Sequence, residues 1–189
     1  MKGPLRVVGF DALFLGSDDP WDTWADRDER NKRASLLRAC GHVRGRALEL
    51  GCGNGSNTAM LQNRALRLLA VDGAASAVSV TRNNITSDKV SVQLAILPRE
   101  LPRQTFDLVV IAEILYYLTP REIECLASAL SFGTGSRLVL AHHHVNFSDT
   151  SSHPATVHSR LITALGRAVK QVYVHRTAHW RVEAFDVGA

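Results

Sequence analysis

Three glycines stand within five residues, Gly51-Cys52-Gly53-Asn54-Gly55, directly after the short apolar run Ala47–Leu50. A helical stretch from about Ser56 to Arg64 follows, so the segment reads as strand, glycine-rich turn, helix. Glycines at such a turn let the backbone approach a ligand closely. A turn made for packing alone needs fewer of them. The spacing is G-x-G-x-G. The dinucleotide fingerprint asks for its third glycine at position 56, which is Ser56 here. No pyrophosphate has to be cradled, so a nucleoside without phosphates fits. Asp72 ends the next apolar run, 17 residues past Gly55. A carboxylate there can accept both hydroxyls of a ribose; its plain structural alternative is a helix N-cap.

A second group of candidates follows the apolar run Leu108–Ala112. Glu113 ends that run, and Tyr116 and Tyr117 come three and four positions later. One tyrosine is expected in the core. The other is expected to face the site, where its ring offers a cation–π surface. His142-His143-His144 come after a fifth strand, at the carboxyl edge of the sheet, where open α/β sheets bind ligands. In extended backbone His142 and His144 share one face and His143 takes the other. Three readings stand for them: a surface or loop cluster, which is the default; a general base or substrate contact; and a metal site completed by Asp149. No metal ligand is assigned. His153 and His158 could face the same cleft.

These residues need a frame. Residues 1–26 are broken by Pro4, Gly9, Gly16 and Ser17-Asp18-Asp19-Pro20, with Phe10, Phe14, Trp21 and Trp24 as apolar anchors. They read as an N-terminal arm or lid on a single domain, 27–189. Helices are predicted at about 27–39, 56–64, 74–83, 120–130 and 156–169. Thr119-Pro120-Arg121-Glu122 forms a capping box for the fourth of these. Strands are predicted at 47–50, 66–71, 90–94, 106–112, 137–141, 171–176 and 180–187. Strand and helix alternate, so a doubly wound, mostly parallel seven-stranded sheet is expected, with helices on both faces. Only about three residues separate the last two strands, which must therefore run antiparallel.

The chain has 189 residues, a net charge of +4 and 46% hydrophobic content. A length of this order buries roughly 70% of the unfolded chain's surface. Cys40, Cys52 and Cys125 form no CxxC pair, which speaks against a disulfide scaffold or a thiolate zinc site and for a reducing cytoplasm. The basic excess is spread out and not interleaved with aromatics, so no nucleic-acid partner is expected. No apolar run approaches the roughly 20 residues of a membrane span. A monomer or a homodimer fits equally.

Glu49-Leu50-Gly51-Cys52-Gly53-Asn54-Gly55 together with Asp72 resembles motif I and the acidic ribose position of class I S-adenosylmethionine-dependent methyltransferases, which have a Rossmann-like sheet. Asp18-Asp19-Pro20-Trp21, Glu29-Arg30, and Phe106 to Leu118 further resemble the nodulation protein S (NodS-like) N-methyltransferases, which act on the free amine of a chito-oligosaccharide. The resemblance covers about residues 17–140. It implies S-adenosyl-L-methionine as cofactor, S-adenosyl-L-homocysteine as product, and a small-molecule acceptor such as the amine of an amino sugar. It implies that Gly51, Gly53, Asn54 and Gly55 line the cofactor, that Glu49 supports the turn and that Asp72 and Gly73 hold the ribose side. Trp21 and Arg30 would belong to a closing cap. Ala112 and Glu113 would sit beside the methionine part and the nucleophile, with Tyr116, Tyr117 and His143 around the acceptor.

One departure stands out. The family's adenine-binding acidic residue falls on Ile96, so apolar contact and the backbone N–H of Leu97 are expected to hold adenine. Two other functions compete: O-methylation of a sugar or nucleoside hydroxyl with the histidines as base, and cofactor binding without catalysis.

Overall fold

A computed structural model describes residues 6–144 and 149–188. Seven strands form one sheet in the order β3-β2-β1-β4-β5-β7-β6. They are β1 (Arg44–Leu50), β2 (Ala65–Asp72), β3 (Val90–Leu94), β4 (Phe106–Ala112), β5 (Phe132–His143), β6 (Val169–Arg176) and β7 (Trp180–Val187). The first five pair in parallel, and β7 runs antiparallel between β5 and β6. This is the expected class I methyltransferase-type sheet. Its central strands are continuous apolar runs because both faces are covered; β4 is buried along nearly its whole length.

Six helices surround the sheet: α1 (Val7–Gly16), α2 (Arg27–Cys40), α3 (Thr58–Leu61), α4 (Ala75–Asn84), α5 (Pro120–Ala129) and α6 (Val157–Ala164). One core lies under α5 and α6 around Ile111, Ile123, Leu126 and Leu161. Another lies under α2 around Leu36, Leu108, Val139 and Trp180. The capping box forms as expected: Glu122 N–H donates to Thr119 Oγ1, and Glu122 Oε2 accepts from Thr119 N–H. A cap of this kind is worth about 1 kcal/mol.

Three segments differ from expectation. The segment read as an arm contains α1, which packs Phe14 and Phe10 onto Ala74, Ala77 and Val80 beside α4. The long helix expected over 56–64 is only α3 followed by a 3-10 turn, Gln62–Arg64. Strand β5 begins five residues early, at Phe132, because it pairs with Phe106 before a bulge.

The register sets up the site. Leu50 pairs with Val71 on one side and with Ile111 on the other. The carboxyl ends of β1, β2 and β4 therefore lie side by side, and Gly51, Asp72 and Ala112 meet at the edge where strand order reverses. That reversal opens a crevice in doubly wound sheets.

Candidate functional site

A cavity of about 240 Å³ opens at this reversal. A single water needs only about 10–15 Å³ of such space, so the cavity has room for an organic ligand. Its floor is Gly51, Gly53, Asp72 and Ala112. Gly51 has φ +78°, and a Cβ there would come 2.2 Å from Ile114 Cγ2, so no other residue fits without moving that side chain. Asp72 accepts from Gly53 N–H at 3.0 Å and from Ala74 N–H at 2.9 Å. Burial nevertheless raises its pKa, the backbone donors only partly opposing this. Further donors from a ligand, such as a diol, would suit it.

Glu49 lies beneath the turn, fully buried, with Oε2 accepting from Thr58 Oγ1 at 2.6 Å. Its Oε1 has no hydrogen-bond partner among the described residues. Burial pushes its pKa up to about 8, the nearby Asp72 charge adding to the effect against the Thr58 bond.

Asn54 fastens the N-terminal segment to the turn: its Nδ2 donates to Asp19 Oδ1 at 2.8 Å and to Thr23 Oγ1 at 2.7 Å. Trp21 is thereby brought to the cavity, its ring 5.5 Å from that of Phe14. Arg30, read as its companion, is exposed and lies outside the cavity lining. Gly55 backs onto Thr81 and Ile85. Gly73 is covered by α1: a Cβ on it would meet Val7 Cγ2 at 3.2 Å. Leu97 packs against the core, and the N–H of Ile96 donates to Glu100 Oε2 at 2.8 Å.

The far end of the cavity is charged. Lys32 Nζ donates to Glu113 Oε1 at 2.5 Å and to Glu29 Oε1 at 2.8 Å, and lies 3.2 Å from His143 Nδ1. With Lys32 donating to Nδ1, the ring proton sits on Nε2, 3.4 Å from Glu29 Oε1. Tyr116 Oη donates to Glu113 Oε2 at 2.6 Å, and the His143 N–H reaches the same oxygen at 3.2 Å. Burial alone would raise the Glu113 pKa. Lys32 and His143 outweigh it and hold the carboxylate well below its usual range. Burial and Glu113 push the Tyr116 phenol well above its usual value. Tyr116 is therefore a hydrogen-bond donor and Glu113 a fixed anion; neither is poised to take a proton at neutral pH. Glu113 has φ +57°, an uncommon conformation for a residue with a side chain, and such strain clusters at working sites.

Both tyrosines line the cavity, and they touch edge to face at 4.7 Å. The division into a core tyrosine and a site tyrosine does not hold, because the buried Tyr116 does both. The three histidines do alternate, yet they are no surface cluster. His143 faces the cavity, His142 is fully buried on the opposite side, and His144 Nε2 lies 3.0 Å from the Thr177 carbonyl. His153 is exposed. Asp149 lines the cavity beside Tyr117 rather than joining a histidine set. Among the described residues no group of three or more His, Cys, Asp or Glu could hold a metal ion.

Sequence reasoning missed Lys32 and gave Glu29 no role. A signal existed: Glu29, Lys32 and Leu36 share a helical face at i, i+3 and i+7 spacing, and Leu36 is core.

The family model described as Nodulation protein S (NodS) matches residues 12–133, well over half of the chain. The chain belongs to the nodulation protein S family. It is 33% identical over 108 residues to the nodulation protein S of Sinorhizobium fredii, covering 55% of this chain and 50% of that protein. To the Bradyrhizobium diazoefficiens protein it is 35% identical over 107 residues, covering 55% and 51%. The chain thus spans about half the length of the curated NodS relatives it matches. Among solved structures, N-methyltransferase NodS from Bradyrhizobium japonicum WM9 in complex with S-adenosyl-L-homocysteine superposes with TM-score 0.76 at 23% identity, covering 97% of this chain and 98% of that one. A DhpI complex with the same product gives TM-score 0.75 at 20% identity, over 97% and 95%. At such identities the likeness is one of fold. No helix among the described residues is long and apolar enough to cross a membrane.

Proposed function

We propose that the chain is an S-adenosylmethionine-dependent methyltransferase that methylates an amine of a small molecule, such as an amino sugar or related metabolite. One observation carries this reading. A single cavity joins the Gly51–Asp72 floor to a cluster of two carboxylates, an ammonium and an imidazole. With His143 neutral, Glu29, Glu113 and Lys32 sum to one negative charge, which favours a cationic acceptor next to a sulfonium. The NodS family and the product-bound NodS fold speak for the same cofactor. The three unpaired cysteines are consistent with work in the cytoplasm.

The residues fit the cofactor. Asp72 is a buried acceptor facing the cavity and would take the ribose diol, and the Gly51–Gly53 backbone would lie against the methionine part. Ala112 borders the same end. Glu49 would support the turn, with Asn54 holding the cap segment. Adenine would lie towards Gly73 and Ile96, where Val7 supplies apolar cover in place of the missing carboxylate. Residues 6–26 would act as the lid, with Trp21 over the cofactor.

S-adenosylmethionine, when bound, supplies an electrophilic methyl group on sulfur for in-line displacement. The chain's residues position the acceptor. Glu113 accepts an N–H of the acceptor and aims its lone pair, and Tyr116 and Tyr117 wall the path. The acceptor's proton has to leave. With Glu113 a fixed anion and Tyr116 held as a donor, His143 is the group beside the acceptor of the type that titrates near neutrality.

The direct test is mass spectrometry of reactions with S-adenosylmethionine and a panel of amino sugars, aminoglycosides and nucleosides. A gain of one methyl on an amine is expected; transfer only to hydroxyls would reverse the reading. A second test addresses the cofactor. Asp72→Ala should cost about 1.5–3 kcal/mol in calorimetric affinity for S-adenosylhomocysteine, the worth of hydrogen bonds to a charged group. In the wild-type protein the same ligand should slow hydrogen exchange in α1. Undiminished affinity, with α1 equally protected in both states, would defeat the assignment of floor and lid.

A further inference from the structure

His142 sits beside the catalytic cluster and takes no part in it. Strand alternation points it away from the cavity, and its ring is fully buried. Its Nε2 accepts the backbone N–H of Leu115 at 3.2 Å. A backbone N–H can only donate, so this nitrogen carries the lone pair and the ring proton is on Nδ1. That proton points at His158 Nε2, 2.7 Å away. His158 must therefore carry its own proton on Nδ1, where it donates to Glu183 Oε2. Glu183 Oε1 accepts from Gln171 Nε2 at 2.9 Å. One backbone donor at the far end fixes the direction of every bond in the chain.

We infer that the buried His142–His158–Glu183 chain is a positioning relay that holds the Leu115–Tyr117 turn, and with it Tyr116 and Glu113, against the cavity. A backbone N–H has no proton to give up, so the relay transmits orientation and not protons. It ties the turn to α6 through His158 and to β7 through Glu183. The loop leading into α6 grips the same turn: the N–H groups of Ser151 and Ser152 donate to the Tyr116 carbonyl at 2.8 and 2.9 Å, and Ser152 Oγ donates to the Leu118 carbonyl at 2.6 Å. Such anchoring is what the strained Glu113 backbone requires, since conformations of that kind persist only where the surroundings over-determine them. Glu113 N–H is bonded to the Ala141 carbonyl at 2.9 Å, and the relay fixes the turn two residues further on. Burial, with each ring disfavouring charge on the other, keeps His142 well below its usual pKa; burial also lowers that of His158, against the pull of Glu183. Both rings are thus neutral, as the bond directions demand.

The first test needs only folded protein. In ¹⁵N-labelled chain, a nitrogen–nitrogen coupling across the Leu115–His142 hydrogen bond and Nδ1–H tautomers on both histidines are expected. An Nε2–H tautomer on His142 would overturn the relay. The second test is kinetic and rests on the proposed amine methylation, with glucosamine as the probe acceptor. His158→Phe leaves His142 Nδ1–H without an acceptor, whereas His158→Gln offers an amide oxygen to His142 and an N–H to Glu183. His158→Phe should lose about 10–100-fold in kcat, the scale of an ångström-sized misplacement, with affinity for S-adenosylhomocysteine within about threefold. His158→Gln should stay within about threefold of wild type in both. Unchanged kcat in His158→Phe, or equal losses of kcat and affinity in both variants, would overturn the relay. If wild-type protein methylates no amine, the functional reading fails and hydrogen exchange decides the relay. Exchange at Leu115 at least tenfold faster in His158→Phe supports it, and unchanged exchange overturns it.

Discussion

Lys32→Met should lower the unfolding free energy by about 2–4 kcal/mol at neutral pH. Lys32 is almost wholly buried, and its ammonium bonds Glu113 at 2.5 Å and Glu29 at 2.8 Å. Removing one partner of a buried ion pair leaves the other charge without compensation, at a cost of roughly 3–5 kcal/mol. The Glu113 side chain remains 26% exposed, towards the cavity, so the lower range applies. Methionine keeps the length and apolar body of the side chain, which separates lost charge from lost packing. Two carboxylates would then share the cluster with no fixed cation, and Glu113 would protonate more readily. In urea unfolding, Glu113→Gln in the Lys32→Met background should recover much of the loss, because the amide needs no counter-ion. A double-mutant cycle reads this as a coupling above about 1 kcal/mol. A loss below that for Lys32→Met alone would mean that water or His143 already satisfies the two acids.

The contrast between Lys32 and Asp72 shows what a sequence discloses. Asp72 was legible because its chemistry is written in one dimension: an apolar run, a carboxylate at its end, and a glycine turn a fixed distance upstream. Parallel pairing of β1 with β2 then brings the two together, whatever the details of packing. Lys32 sits in Arg27-Asp28-Glu29-Arg30-Asn31-Lys32-Arg33, which reads as a solvated helix face. Only the docking of α2 beside β5 and β7 turns that face inward, and docking angles leave no mark on composition.

Helix ends follow similar logic. The start of α5 was legible from a capping box, a purely local device. Helix α6 ends five residues before the expected limit of 169, and Gly166, at φ +61°, lies just beyond it. Helix α1 went unread because apolar residues run all around it and two glycines interrupt or close it, so no amphipathic stripe announces it. Its stability comes from burying Phe14 against α4, a tertiary contact. His142 and His143 illustrate the limit from the other side. Their alternation was predictable from strand geometry, yet which of them met water was not, because that depends on α6 covering one face.

Between pH 5 and pH 9, ionisation of Glu49 alone should remove about 3–5 kcal/mol of stability. Its carboxyl is fully buried, and burial raises its pKa from 4.5 to about 8, Asp72 adding its charge and the Thr58 bond opposing. In this window the folded state holds a proton that the unfolded state has released. Stability therefore falls as pH rises, is fully present below about 4.5, and is lost progressively until the folded carboxyl ionises near 8. At about 1.4 kcal/mol per unit, a shift of this size corresponds to the upper end of that range. Other groups titrate in the same window. Asp72 acts in the same direction. The depressed His142 and His158 act in the opposite one, since the unfolded chain takes up their protons first as pH falls. Comparison with Glu49→Gln cancels these contributions. The amide oxygen can still accept from Thr58, so at pH 5 the variant and the wild type should unfold at similar urea concentrations. By pH 9 Glu49→Gln should be the more stable by about 3–5 kcal/mol. A difference that stays constant across the range would mean that Glu49 is ionised in the folded protein throughout. Its second oxygen, Oε1, would then need a donor, and the glycine turn above it would rest on a buried charge rather than a neutral acid.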